Sequence, residues 1–210
     1  MEQQFQYYAF ISYKREDEKW AKWLQDRLRW YKLPSKLCRQ ITRLPKKVWP
    51  VFRDNTDLDS GRLEENIRHE LERSHYLIVI CSPEAARSPW VGKEVKYFAT
   101  LHGADKIIPF VVSGIPYSND IETECIHEQI KAISQEELLA INVREEGIGS
   151  FAMKKKRAFI RVVARLLDIK FNTLWQPYER ILRIRKWSTG IGVVLFLFVL
   201  FILWDYYRTK

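Results

Sequence analysis

The sequence predicts an α/β fold, a parallel sheet covered by helices on both faces, and three observations predict it. Tyr76 to Pro83 is a short unbroken apolar run, rich in β-branched residues and closed by Ser-Pro, the pattern of a strand buried on both faces. Ser88 and Pro89 then open a stretch in which Trp90, Val91, Glu94, Val95 and Phe98 recur at helical spacing. Serine suits the N-cap and proline the first helical position. Elsewhere strand-like and helix-like segments alternate, an order that implies crossover connections and parallel pairing. Glu94 therefore stands early in a helix that starts just past the carboxyl end of a parallel strand, where open α/β sheets place their ligands.

The elements follow in order. Tyr7 to Tyr13 reads as a strand apolar enough to be central, with Ala9 and Ile11 alternating with Phe10 and Ser12. It ends in the polar loop Lys14-Arg15-Glu16-Asp17. A helix starts at Asp17 or Glu18 and runs to about Tyr31, with Trp20, Leu24, Leu28 and Tyr31 on one stripe. Trp23 and Trp30 lie off it, marking a second buried face or a contact surface. Lys32 to Lys47 is a basic connection without clear periodicity, and Val48 to Phe52 a short strand whose Pro50 argues for an edge or a bulge.

Arg53 to Gly61 is a polar, acidic loop, and a helix from about Leu63 to Ser74 leads into the central strand. Beyond the Glu94 helix, Lys106 to Val112 is a further strand, in which Pro109 implies an edge position or one unmade ladder bond. Glu122 to Ile133 reads as a weak helix, Leu138 to Val143 as the last strand and Phe151 to Leu167 as a helix with Phe159, Val162, Val163, Leu166 and Leu167 on its packed side. Glu145 to Gly149 is a turn and not a phosphate loop, because it lacks both the spacing and a Lys-Ser/Thr pair.

Composition narrows the function classes. At 210 residues and 47% apolar, the chain has room for one packed domain and an appendage. The formal charge of +9 invites a nucleic-acid reading, but Lys154-Lys155-Lys156-Arg157 is the only dense basic run and much of the excess lies beside an apolar C-terminal segment, so no nucleic-acid partner is expected. Three cysteines without CxxC spacing indicate neither a zinc site nor a disulfide framework and fit a reducing cytosol. His69, His75, His102 and His127 have no metal-ligand spacing, so neither a metal nor a cofactor is expected. No signal peptide is expected at the N-terminus.

Residues 177–186 read as a basic helical stretch, and residues 187–204 carry no charge. Eighteen helical residues span about 27 Å, close to the hydrocarbon core of a bilayer. Trp187 and Trp204 stand at the two ends, where aromatic belts sit. A buried core helix is the poorer reading, because the segment is apolar on all faces. Arg180, Arg183, Arg185 and Lys186 precede it, against Arg208 and Lys210 after it. The positive-inside rule then places a single-pass protein with its domain in the cytoplasm and residues 205–210 as a short tail outside.

The motif Ser88-x-Trp90-x-x-x-Glu94 resembles the catalytic helix of TIR domains that cleave NAD, in the bacterial branch of that family. Supporting stretches are Tyr8-Ala9-Phe10-Ile11-Ser12-Tyr13, Trp20-Ala21-Lys22-Trp23-Leu24, Val51-Phe52-Arg53-Asp54 with Asp57, Leu58 and Gly61, and Leu77 to Pro83. The resemblance covers roughly residues 5–176. It implies a flavodoxin-like open parallel sheet of about five strands, NAD+ as substrate, and other TIR domains as partners in homo-oligomers beside the lipid bilayer. It also implies that the loop after the first strand lines the nucleotide pocket, making Ser12, Lys14 and Arg15 candidate contacts; the alternative is a solvated charged loop. Arg53, Asp54, Asp57 and Asp59 fall in the loop that gates the site and contacts neighbouring domains in this family; the alternative is a turn whose carboxylates bond their own backbone.

Cleaving the nicotinamide–ribose bond develops oxocarbenium character on the ribose, and nicotinamide leaves as a neutral group. A carboxylate that accepts hydrogen bonds from ribose hydroxyls or sits near the developing charge stabilises that state, as glycosidase carboxylates do. Glu94 is the catalytic candidate. Trp90 lies one turn earlier and either borders the pocket or packs in the core. Ser88 is an N-cap and a candidate contact, not a nucleophile, since no His is placed by sequence to activate it. The leading reading is a membrane-anchored NAD+ hydrolase that gives ADP-ribose or a cyclic variant in bacterial defence. A non-catalytic membrane-anchored scaffold for TIR–TIR signalling is the alternative, and a subunit whose span perturbs the membrane ranks last.

Overall fold

The computed structural model describes residues 5–42, 44–53, 61–133, 140–144 and 150–176, together with Trp204 and Arg208. Two units divide the chain, residues 1–169 and 170–210. The first holds five parallel strands, β1 (Tyr7–Ser12), β2 (Val51–Arg53), β3 (Ser74–Cys81), β4 (Ile107–Val111) and β5 (Ile141–Asn142), in the spatial order β2-β1-β3-β4-β5. The helices are α1 (Glu18–Trp30), α2 (Ser35–Gln40), α3 (Gly61–Glu72), α4 (Pro83–Ala86), α5 (Pro89–His102), α6 (Glu128–Ile133) and α7 (Phe151–Leu166). The predicted α/β class and the count of about five strands agree with this sheet.

Strand β1 pairs with both β2 and β3, so the chain goes out to one side after β1 and returns on the other after β2. Order reverses between β1 and β3, and the crevice outside their carboxyl ends is the topological switch point. Alternation along the strands divides the core in two. Phe10, Leu77, Val79, Ile107 and Val111 pack with Leu71 of α3, Val91, Val95 and Phe98 of α5, and Ile130 of α6. On the opposite face Phe110 stacks on Trp23 of α1, whose ring also meets Phe159 of α7 edge-on. Trp23 thus packs half-buried on a second face of α1, whereas Trp30 is 73% exposed.

Several boundaries differ from the sequence reading, each for a local reason. Pro50 precedes β2 instead of interrupting it, and β2 is an edge strand as the proline required. Pro109 lies in an interior strand opposite Val79, not at an edge, and the β5 ladder starts one residue beyond it at Phe110. The stretch Lys32 to Lys47 contains α2, whose six residues bury Leu37 and are too few to show a period. Helix α6 begins only at Glu128, because Asp120 Oδ1 accepts from the Glu122 amide at 3.1 Å and the Ile115 amide donates to the Thr123 carbonyl at 2.7 Å. Strand β3 starts at Ser74, two residues earlier than its apolar run.

In the second unit, residues 171–176 are helical, with Phe171 stacked on Trp175. The predicted basic helix and the uncharged run up to residue 203 lie outside the described residues, as do residues 145–149. Among the described residues no helix is long and apolar enough to cross a membrane.

Candidate active site

Two serines at strand ends and two carboxylates build the switch-point edge. Ser12 ends β1 on the same face as Phe10, is 1% exposed, and its hydroxyl donates to Glu94 Oε2. Glu94 is half-buried on α5, which starts after β3 with Ser88 at the N-cap position and Pro89 in the first turn. One residue past β3, the buried Ser82 hydroxyl donates to Asp17 Oδ2 and accepts from the Ala85 amide at 3.0 Å, so it caps α4 and ties down the turn after β1. Burial pushes the Asp17 carboxyl up, opposed by the Ser82 bond and reinforced by Glu84 and Glu16.

A groove of about 320 Å³ runs between α3 and α5, lined by Ile67, Arg68 and Leu71 on one side and by Trp90, Lys93, Glu94, Lys96 and Tyr97 on the other. Trp90 is 46% exposed, and Lys93 Nζ lies 4.6 Å from its ring centroid. Arg68 lies over Tyr97 at 5.4 Å, and the Tyr97 hydroxyl donates to Glu72 at 2.5 Å. The Glu72 bond, then burial, raises the Tyr97 phenol. The groove therefore joins one carboxylate, an aromatic rim and three cations. A larger hollow of about 680 Å³ on the far side of α5 holds Arg87, Gly92, His127 and Lys131 but not Glu94.

The predicted site residues do not all gather here. Ser12, Trp90 and Glu94 do, and Trp90 borders the groove instead of filling the core. Ser88 is 3% exposed, its carbonyl accepts from Gly92 at 3.1 Å, and its hydroxyl makes no capping bond, so it shapes the helix start and does not line the groove. Lys14 is half-buried and Arg15 exposed on the turn after β1, and neither lines the groove. Arg53 ends β2 with a side chain only 7% exposed, donating to the Tyr13 hydroxyl at 2.9 Å and to Gln25 Oε1 at 3.2 Å, and paired with Glu18 at 3.3 Å. Its guanidinium joins β2 to α1. Asp54, Asp57 and Asp59 lie outside the described residues.

Arg68, Lys96 and Tyr97 were not legible as site residues, since charges on amphipathic helices are ordinarily solvated. Lys93 carried a signal in its i+3 spacing from Trp90. Among the described residues no group of three or more His, Cys, Asp or Glu is placed to hold a metal ion.

Residues 9–146 match the family described as TIR domain. The chain belongs to that family. Over 110 residues this TIR domain is 36% identical to the NAD(+) hydrolase ApTIR of an Actinoplanes species, a match that takes in 51% of this chain and 14% of that protein. Among solved structures, the TIR domains of the activated Roq1 resistosome directly recognising the pathogen effector XopQ align with a TM-score of 0.48 at 14% identity, covering 73% of this chain and 98% of theirs.

Proposed function

We propose that this TIR domain hydrolyses NAD+ at the nicotinamide–ribose bond and that residues 187–204 anchor it in a membrane. The observation that carries the catalytic reading is the Glu94 carboxylate, set at the sheet's switch point by the Ser12 hydroxyl and opening on the groove rimmed by Trp90. The 36% identity to a protein named as an NAD(+) hydrolase supports it.

In this reading the C1′–N bond breaks, both electrons leave with nicotinamide, and the ribose passes through an oxocarbenium-like state. Glu94 accepts hydrogen bonds from ribose hydroxyls in the way it accepts from Ser12, and its charge stabilises the cationic ribose. Water then adds to C1′ and releases a proton, giving ADP-ribose; attack by the substrate's own adenine in place of water gives a cyclic product. Arg68, Lys93 and Lys96 supply cations for the pyrophosphate. A groove of about 320 Å³ is at the lower end of small-molecule sites, enough for the reacting half of the dinucleotide.

Anchoring confines domains to a surface and raises their effective concentration, which favours TIR–TIR assembly without any new contact. A defence role, in which clustering depletes NAD+ or makes a nucleotide signal, follows from the family resemblance. The test is NAD+ consumption by the full chain clustered in lipid vesicles, beside Glu94→Ala. Consumption lost in the variant establishes the hydrolase, and its products separate hydrolysis from cyclisation. Folded, clustered wild type without turnover leaves the non-catalytic scaffold.

A further inference from the structure

The segment from Arg27 to Lys47 contains eight lysines and arginines and no aspartate or glutamate, against a net charge of +9 for the whole chain. Folding turns this asymmetry into a surface. Leu33, Leu37, Leu44 and Val48 are buried, while Arg29, Arg39, Lys46 and Lys47 are exposed. The Leu33 amide donates to the Lys46 carbonyl at 3.5 Å, closing the segment on itself. Arg29 bridges the two ends, lying 5.5 Å from the centroid of the exposed Trp30 and 5.7 Å from that of Trp49. The result is a cationic plate with an indole projecting from its margin.

Its place in the fold decides what it meets. Helix α1 begins at the carboxyl end of β1 and runs back, so the plate lies at the amino ends of the strands, opposite Ser12 and Glu94. Helix α7 runs the same way and ends at the same edge, where Arg165 donates to the Asp105 carbonyl just before β4 at 3.3 Å. From there the chain continues toward the 18-residue uncharged run. A cationic plate carrying an exposed Trp matches the headgroup layer of an anionic bilayer. Lysine and arginine near such a surface are drawn to it, and indoles settle at the headgroup level.

We propose that the α1–β2 connection, through Trp30, Arg29, Arg39, Lys46 and Lys47, docks the domain on anionic lipid headgroups. Docking by this edge leaves the Glu94 groove facing solvent and sets neighbouring domains in a common orientation. The proposal rests on the charge and exposure of residues 27–49 and does not depend on anchoring by residues 187–204, and the two are separable by experiment.

The test uses the full chain with vesicles of phosphatidylcholine alone or with phosphatidylserine, and compares wild type with Trp30→Ser/Lys46→Glu/Lys47→Glu. All three positions are at the surface, and circular dichroism checks the variant's fold. Flotation on neutral vesicles reads the anchor. Hydrogen exchange over residues 27–47 reads the plate, with protection that requires phosphatidylserine, fades at high salt and is lost in the variant. If the chain floats only on anionic vesicles, and removing the two lysines and Trp30 weakens that binding roughly hundredfold, the plate stands and the anchor falls. Absent protection, or protection equal on neutral lipid, overturns the plate. Protection by single-stranded RNA at physiological salt, with none from anionic vesicles, makes it a nucleic-acid surface and also overturns it.

Discussion

The Ser12 hydroxyl donates to the Glu94 carboxylate across 82 residues of sequence, linking the end of β1 to the second turn of α5. The bond orients an acceptor at the mouth of the groove. If Glu94 stabilises the oxocarbenium-like state, Ser12→Ala should lower kcat for NAD+ cleavage roughly tenfold with KM little changed, since a misplaced group loses transition-state stabilisation more than binding. Glu94→Gln should cost on the order of 10²-fold or more. Steady-state kinetics of both variants check this, and a Ser12→Ala defect confined to KM would assign Ser12 to substrate binding instead.

Gly92 and His127 set a packing limit on the helix that carries Glu94. A Cβ at Gly92 would stand 2.5 Å from His127 Cε1 and 2.7 Å from Nε2. His127 is 7% exposed and its Nδ1 accepts from the Gln129 amide at 3.0 Å, so the ring can swing into the adjoining hollow only by giving up that bond. Helix propensity alone predicts that Gly92→Ala gains about 1 kcal/mol. Overlap should win, with a net loss of about 1–3 kcal/mol in urea unfolding.

Three histidines make the fold acid-sensitive. Burial lowers His127, His75 and His102, with Lys106 and His102 adding to the effect at His75. Each has a folded pKa below its unfolded value near 6.5. Above that pH both states are neutral and stability is constant. As pH falls through 6.5 toward the folded values the unfolded chain binds more protons, so stability declines, by at most about 1.4 kcal/mol per pH unit for each group. Thermal unfolding between pH 7.5 and 5 should show a falling Tm, and His127→Gln should flatten part of the fall.

Asp17 has the opposite sign. Its carboxyl is raised by burial, so its ionised form costs stability above the folded pKa, and that cost vanishes as pH falls to the unfolded value near 3.9. Asp17→Asn keeps an oxygen acceptor for the Ser82 hydroxyl and removes the charge. It should raise Tm at pH 7 by roughly 2–4 °C, on the scale of about 1 kcal/mol in a chain of this size, with the gain shrinking at pH 4. A lower Tm at pH 7 would show that the charge-assisted bond from Ser82 outweighs the cost of burying the carboxylate.

Much of the fold was legible in sequence because its signals are local. The run Tyr76 to Cys81, the alternation in β1 and the spacing of Trp90, Val91, Glu94, Val95 and Phe98 each report the period of one element, and an element's period depends on its own residues. Those signals placed Glu94 early in a helix behind a buried strand, and the candidate chemistry came from the resemblance of Ser88-x-Trp90-x-x-x-Glu94 to NAD-cleaving TIR domains. The amino-acid sequence by itself thus determined the α/β class, the strand and helix order and the carboxylate to examine. Tertiary structure decided which side chains meet. It joined Ser12 to Glu94 and Ser82 to Asp17, locked Arg53 against Tyr13 and Gln25, put Pro109 inside the sheet and left Arg29, Arg39, Lys46 and Lys47 exposed around buried Leu33, Leu37 and Leu44. Those outcomes rest on strand order, register and helix packing, which bring together residues distant along the chain and leave no periodic trace in it.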